Sequence, residues 1–147
     1  MNKENKYCYD YPRPCVASDC LIINEQDEIL LIQRKHPPCE GSWALPGGFL
    51  EMDETTEQCA ARELLEETGV TIDVKELKHV AVFSEVNRDP RKRIISVSYL
   101  AHVSKSEVQH KAGDDASNTD WHKLDQLPVM AFDHAQIIEC AKTKDLF

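Results

Sequence analysis

The sequence contains no apolar run long enough to cross a bilayer. Its longest aliphatic stretches, Leu21-Ile22-Ile23 and Ile29-Leu30-Leu31-Ile32, fall far short of the roughly twenty residues a spanning helix needs, so no membrane partner is expected. A charged-then-apolar leader is also missing: the first twelve residues are polar and tyrosine-rich, which predicts a cytoplasmic location. Basic charge is scarce. Seventeen Lys and Arg face 26 Asp and Glu, a formal net charge of −9, and polymeric nucleic acid is excluded as a partner because backbone binding needs a basic surface. A small anionic substrate stays compatible if a divalent cation or a local basic patch screens the acid. Cysteine pairs at metal spacing are absent as well. Cys8, Cys15, Cys20, Cys39, Cys59 and Cys140 form no CxxC, and no histidine spacing completes a zinc site, so free thiols in a reducing compartment are expected. Glycine is reduced to five residues, all at element ends or in loops, where each meets a local backbone demand.

Nothing divides the 147 residues: there is no repeat, low-complexity tract or Gly/Ser linker. One domain over residues 1–147 is expected, with residues 1–14, ending Tyr11-Pro12-Arg13-Pro14, as an extended lead-in. Strands are predicted over Val16–Ile23 and Ile29–Arg34, separated by a polar turn, with loops around Trp43 and Leu45 marked by Pro37, Pro38, Gly41, Pro46, Gly47 and Gly48. A helix follows. Thr55 and Gln58 fit a capping box and Gly69 a left-handed C-terminal cap. Beyond it, strands are predicted over Val70–Val74, Leu77–Glu85, Ile94–Val103 and Thr119–His122, and a helix over His134–Lys142 capped by Asp133. Strands, helix, strands, helix indicate a mixed sheet covered by helices, an α/β or α+β sandwich.

The densest charge lies in GFLEMDETTEQCAARELLEETGV, from Gly48 to Val70. On a helix Glu63, Glu66 and Glu67 share one face at i, i+3 and i+4, while Ala60, Ala61, Leu64 and Leu65 occupy a different one. Three neighbouring carboxylates raise one another's pKa unless a cation compensates. Hard oxygen donors with room for waters suit Mg²⁺ or Mn²⁺ rather than zinc, and Arg62 can reach Glu66 at i+4 to fix its orientation. A solvated acidic helix face is the plainer alternative from these residues alone.

The full spacing decides between them. Gly48, Glu54, Arg62-Glu63-Leu64, Glu66-Glu67 and Gly69-Val70 match Gx5Ex7REUxEExGU at every defined position, and the chain is thereby similar to the Nudix hydrolases. The resemblance implies an α/β/α sandwich with a mixed sheet, a catalytic loop–helix–loop, and Mg²⁺-dependent (or Mn²⁺-dependent) hydrolysis of a nucleoside diphosphate linked to another moiety. By position it makes Glu63, Glu66, Glu67 and the Gly48 carbonyl the metal ligands, and Arg62 and Glu54 orienting members of the site. Glu66 or Glu67 can serve as general base, although in relatives the base often lies outside this segment.

Beyond it, Tyr11-Pro12-Arg13-Pro14, Leu31-Ile32-Gln33-Arg34, Trp43-Ala44-Leu45-Pro46-Gly47-Gly48-Phe49, Arg88-Asp89-Pro90-Arg91, Gly113-Asp114-Asp115-Ala116 and Ala131-Phe132-Asp133-His134 resemble the ADP-ribose pyrophosphatase group. They are similar, too, to Nudix-domain regulators that sense ADP-ribose-type ligands and append a winged-helix domain, for which no residues remain after Phe147. Products AMP and ribose 5-phosphate are the expectation; a silent ligand-sensing module, or action on another NDP-sugar, a dinucleotide or an oxidised nucleotide, is the alternative. Val86 stands where many such enzymes carry a proline. Arg88, Arg91, Lys92 and Arg93, with Arg34, are candidates for phosphate or ribose contacts; Trp43 or Phe83 for stacking on adenine; Asp114 and Asp115 for a base or further ligand. Relatives often form homodimers, and the tyrosines of residues 7–11 offer such an interface. His134 reads as a helix-start residue.

Overall fold

The structure, a computed structural model, describes residues 6–111, 113 and 116–147. Seven strands, β1 (Cys15–Asn24), β2 (Glu28–Arg34), β3 (Trp43–Ala44), β4 (Gly47–Phe49), β5 (Lys78–Phe83), β6 (Ile94–Val103) and β7 (Ala116–Lys123), form one sheet, and two helices, α1 (Thr56–Thr68) and α2 (His134–Thr143), cover it. The sheet runs β3-β2-β1-β6-β5, with β4 pairing to β1 and β7 to β2. β1 and β6 are parallel over ten residue pairs, Cys15↔Ile94 to Asn24↔Val103, while every other pairing is antiparallel.

β1 explains the sandwich. Successive strand residues face opposite sides of a sheet, and here both sides are buried. Leu21 and Ile23, with Ile29, Leu31 and Leu100, pack under Ile137, Ile138 and Ala141 of α2. Cys20 and Ile22, with Leu30 and Tyr99, pack under Ala60 and Leu64 of α1. A strand covered on both faces reads as an unbroken apolar run, as residues 20–23 do.

The α1 boundaries follow the sequence closely. Thr55 accepts from the Gln58 amide and Gln58 returns the bond to the Thr55 amide, while Gly69 closes the helix at φ +77°. Elsewhere the expected elements move. Residues 70–73 form no strand, and a 3-10 turn follows at Val74–Glu76, because the Asp73 side chain captures the Lys75 amide (2.9 Å) and draws the backbone into a turn. Gly47–Phe49, predicted as loop, is a strand because it pairs in register with Ala17–Asp19 of β1. β7 extends to both sides of the predicted Thr119–His122 by pairing along the whole of β2, and β5 is shorter than predicted, ending at Phe83. Leu65 of α1 and Ala135 of α2, both apolar, are exposed. At the head of α2, the Asp133 side chain makes no capping bond; its carboxylate is taken by Arg88 instead.

Candidate active site

A cavity of about 360 Å³ opens where β1, β4, α1, the loop after β5 and the start of α2 meet. Its acidic wall belongs to the stretch from Gly48 to Gly69. Pairing of Asp19 with Gly47 and Ser18 with Gly48 presses β4 against β1, so α1 packs directly over the two glycines. Any side chain at Gly48 would collide with the Glu63 carboxylate, and one at Gly47 with the Asp19 carboxylate and the Ser18 carbonyl. The Gly47 amide donates to Glu67 Oε1 at 2.7 Å. Glycine is therefore required here by close approach.

Arg62 organises the carboxylates. It makes a two-pronged bond to Glu54 (Nη2–Oε1 2.7 Å, Nε–Oε2 2.9 Å), and its Nη1 reaches Glu63 at 2.9 Å and Glu66 at 3.2 Å. Nη2 also donates to the Phe49 carbonyl at 3.0 Å. These contacts differ in electrostatic consequence. The bonds from Arg62 hold the Glu54 carboxyl down at about 2. Burial raises Glu63 above the ordinary carboxylate range despite the same guanidinium. Arg62 itself is raised, first by Glu54 and then by Glu63. Glu66, the expected i+4 partner, is the outermost of the set, its side chain 56% exposed against 15% for Glu63.

The donors suit a hard divalent cation: Glu63, Glu67 and Gly48 all border the cavity, and three carboxylates with a backbone carbonyl are the oxygen set that Mg²⁺ or Mn²⁺ prefers. Among the described residues no three such side chains are already gathered into a metal cluster. Arg62 occupies part of that role, bonded to Glu63 and Glu66.

The opposite wall is basic and aromatic. Arg34 and Arg91 line the cavity, and their guanidinium carbons lie 4.9 and 5.2 Å from the centre of the Phe132 ring. Arg34 is anchored by Pro38 O at 2.7 Å, and burial followed by the nearness of Arg91 lowers its pKa. Arg91 is tied to Asp89 at 2.7 and 3.0 Å. Arg88 also reaches the wall, but its guanidinium is committed to Asp133 in a two-pronged bridge (2.7 and 2.8 Å), the side chains only 5% and 11% exposed. Arg93 turns away, donating to the Glu85 carbonyl at 3.3 Å, and does not line the cavity.

The other expectations separate cleanly. Trp43 packs edge-on against His122, ring centres 4.4 Å apart, and Phe83 joins the core under α2; neither lines the cavity, whose phenyl rings are Phe49 and Phe132. β3 places the Trp43 side chain on the α2 face of the sheet, which removes it from the site. Asp114 and Asp115 lie outside the described residues. The sequence reading missed a buried group at the cavity floor: Asp19, bonded to the Ser96 hydroxyl, and His134. The His134 Nδ1 accepts the Leu45 amide at 3.0 Å, so the proton of the neutral ring resides on Nε2, 3.8 Å from Asp19 Oδ1. Burial lowers the His134 pKa, outweighing the opposite pull of Asp19. Asp19, polar within an apolar strand, was a sequence signal for this group.

Residues 13–140 match the model of the NUDIX domain. The chain is 46% identical over 129 residues to an ADP-ribose pyrophosphatase of Methanocaldococcus jannaschii, covering 88% of this chain and 73% of that protein. It is 38% identical over 143 residues to the ADPR responsive transcriptional repressor NtrR of Acinetobacter baylyi, covering 90% of this chain and 54% of the repressor. Among solved structures it resembles a bifunctional NMN adenylyltransferase/ADP ribose pyrophosphatase of Francisella tularensis, complexed with AMP and a Mn ion (TM-score 0.83, 35% identity, 92% of this chain and 43% of that one). The chain thus spans about half the length of the last two.

Proposed function

We propose that this chain, which belongs to the NUDIX family and is a pyrophosphohydrolase, cleaves ADP-ribose to AMP and ribose 5-phosphate. One observation carries the reading: a single cavity is lined both by Glu63, Glu67 and Gly48 and by Arg34 and Arg91. Such a cavity has a place for a cation on one side and for phosphate oxygens on the other. The 46% identity to an ADP-ribose pyrophosphatase supports the choice of substrate.

Glu63, Glu67 and the Gly48 carbonyl, which border the cavity, would hold Mg²⁺ or Mn²⁺, with Glu66, bonded to Arg62 beside it, as a further carboxylate for the ion. Such an ion neutralises the pyrophosphate and lowers the pKa of a bound water. Arg34 and Arg91 bind phosphate oxygens, with Arg91 steadied by Asp89. Arg62 and Glu54 fix the carboxylate face in position. Of the two glutamates offered as base, Glu67 borders the cavity and Glu66 does not, so Glu67 takes the proton of the attacking water. Water adds to one phosphorus as the bridging oxygen leaves with the other, giving the two monophosphates.

A panel of nucleoside diphosphates linked to ribose, other sugars or a second nucleoside, with phosphatase-coupled detection of product, tests the proposal. ADP-ribose is expected to give the highest kcat/KM. Absence of turnover of every member with Mg²⁺ or Mn²⁺ removes the catalytic reading. The repressor likeness favours a second reading, a module that senses an ADP-ribose-type ligand; tight calorimetric binding of ADP-ribose without hydrolysis would establish it.

A further inference from the structure

Phe132 has a left-handed backbone, φ +50°, a conformation rare for a bulky aromatic residue. Such conformations persist where surrounding structure over-determines them, and here three contacts do so. The Ala131 amide donates to Trp43 O at 2.7 Å, the His134 amide donates to Ala131 O at 3.1 Å, and Asp133 is gripped by Arg88. The chain is pinned on both sides of Phe132, and its ring is held in the cavity wall. The ring is met by planar groups: the Arg34 and Arg91 guanidiniums at 4.9 and 5.2 Å and the tilted His134 imidazole at 5.5 Å. Both guanidiniums belong to long side chains, Arg34 tethered to Pro38 O and Arg91 to Asp89, whereas the ring is held by the backbone on either side of it. Phe49, the other phenyl ring of the cavity, is 39% exposed and also carries Lys92 and Arg91, so it forms the rim.

We infer that Phe132 is the platform on which the nucleobase of the substrate stacks, and that the Arg88–Asp133 bridge is the strut that positions it. This rests on the reading of the cavity as a nucleoside-diphosphate site. The stacked base takes the place next to the ring that the guanidiniums hold in the structure, and the guanidiniums, still tethered through Pro38 O and Asp89, turn to phosphate. The base is thereby selected as a flat π surface, and the residues of the acidic wall need no part in its recognition.

Phe132→Leu retains apolar volume but removes the π face; Phe132→Tyr retains the face. KM and kcat are compared for ADP-ribose and for a base-free substrate, two ribose 5-phosphates joined through a pyrophosphate. Phe132→Leu is expected to raise KM for ADP-ribose by about tenfold, within the range of one stacked base, and to raise KM for the base-free substrate far less. Phe132→Tyr is expected to match the parent protein. An unmoved KM in Phe132→Leu overturns the inference, as does an equal rise for both substrates, which marks a packing defect. If the parent protein hydrolyses neither compound, the hydrolytic reading has failed on its own. The platform is then tested by calorimetry with AMP: weaker binding by Phe132→Leu supports it and equal binding overturns it.

Discussion

The two walls of the cavity are built in opposite ways. The acidic wall comes from one continuous stretch, in which a helix with fixed 3.6-residue spacing brings Glu63 and Glu67 over Gly47 and Gly48. The basic and aromatic wall is gathered from β2, the loop after β5 and the head of α2, and the buried Arg88–Asp133 ion pair joins the last two. The first wall depends on local geometry, the second on long-range contacts. The first is thus robust in shape and sensitive in chemistry, and the second is the reverse.

Breaking the Arg88–Asp133 bridge tests the second wall most severely. Arg88→Met leaves a buried carboxylate without its partner and is expected to cost about 3–5 kcal/mol, read from urea unfolding. The paired variant with Asp133→Leu should recover most of the loss. On the acidic wall, Glu67→Gln should reduce kcat by about a hundredfold, the scale of removing one group that stabilises transition-state charge. Its urea midpoint is expected to shift far less than that of Arg88→Met. A near-normal rate would move the proton-accepting role elsewhere.

Acid sharpens the contrast further. Glu54, held at about 2 by Arg62, sits below its ordinary value of 4.5. A carboxylate lowered on folding contributes stability above its unfolded pKa and loses it as pH falls toward the folded one. Glu54→Gln should therefore flatten the decline in unfolding free energy between about pH 4.5 and pH 2, and leave the slope near neutrality unchanged. The smallest effect is expected at Arg93: outside the cavity, with its guanidinium donating to Glu85 O, its replacement by Ala should alter KM for ADP-ribose by less than about twofold. A larger change would enlarge the basic wall to include it.

The same division explains what was legible in the sequence. The capping box at Thr55, the Gly69 cap and the shared face of Glu63 and Glu67 are consequences of local spacing, and the structure has each of them. So is the doubly buried run of β1. The Gly47–Phe49 strand was hidden because its pairing partner lies thirty residues away in β1. Arg88 looked like a member of an exposed basic loop, since nothing in its neighbourhood announces Asp133, 45 positions on. Trp43 and Phe132 could not be distinguished as cavity residues by type. The sheet face of one and the positive φ of the other make that distinction, and neither is written in composition.

Arg62 has a consequence for the life of the protein before any ligand arrives. By bonding Glu54, Glu63 and Glu66 at once, it supplies an internal counter-ion to a helix face that would otherwise repel itself. The chain is therefore expected to fold without metal, unlike a domain whose fold is nucleated by its ion. Chelation with EDTA should abolish turnover yet leave the far-UV circular dichroism spectrum of the native sheet and helices intact. Under the proposed metal-dependent reaction, metal supply would then set the rate of turnover and leave the amount of folded protein alone.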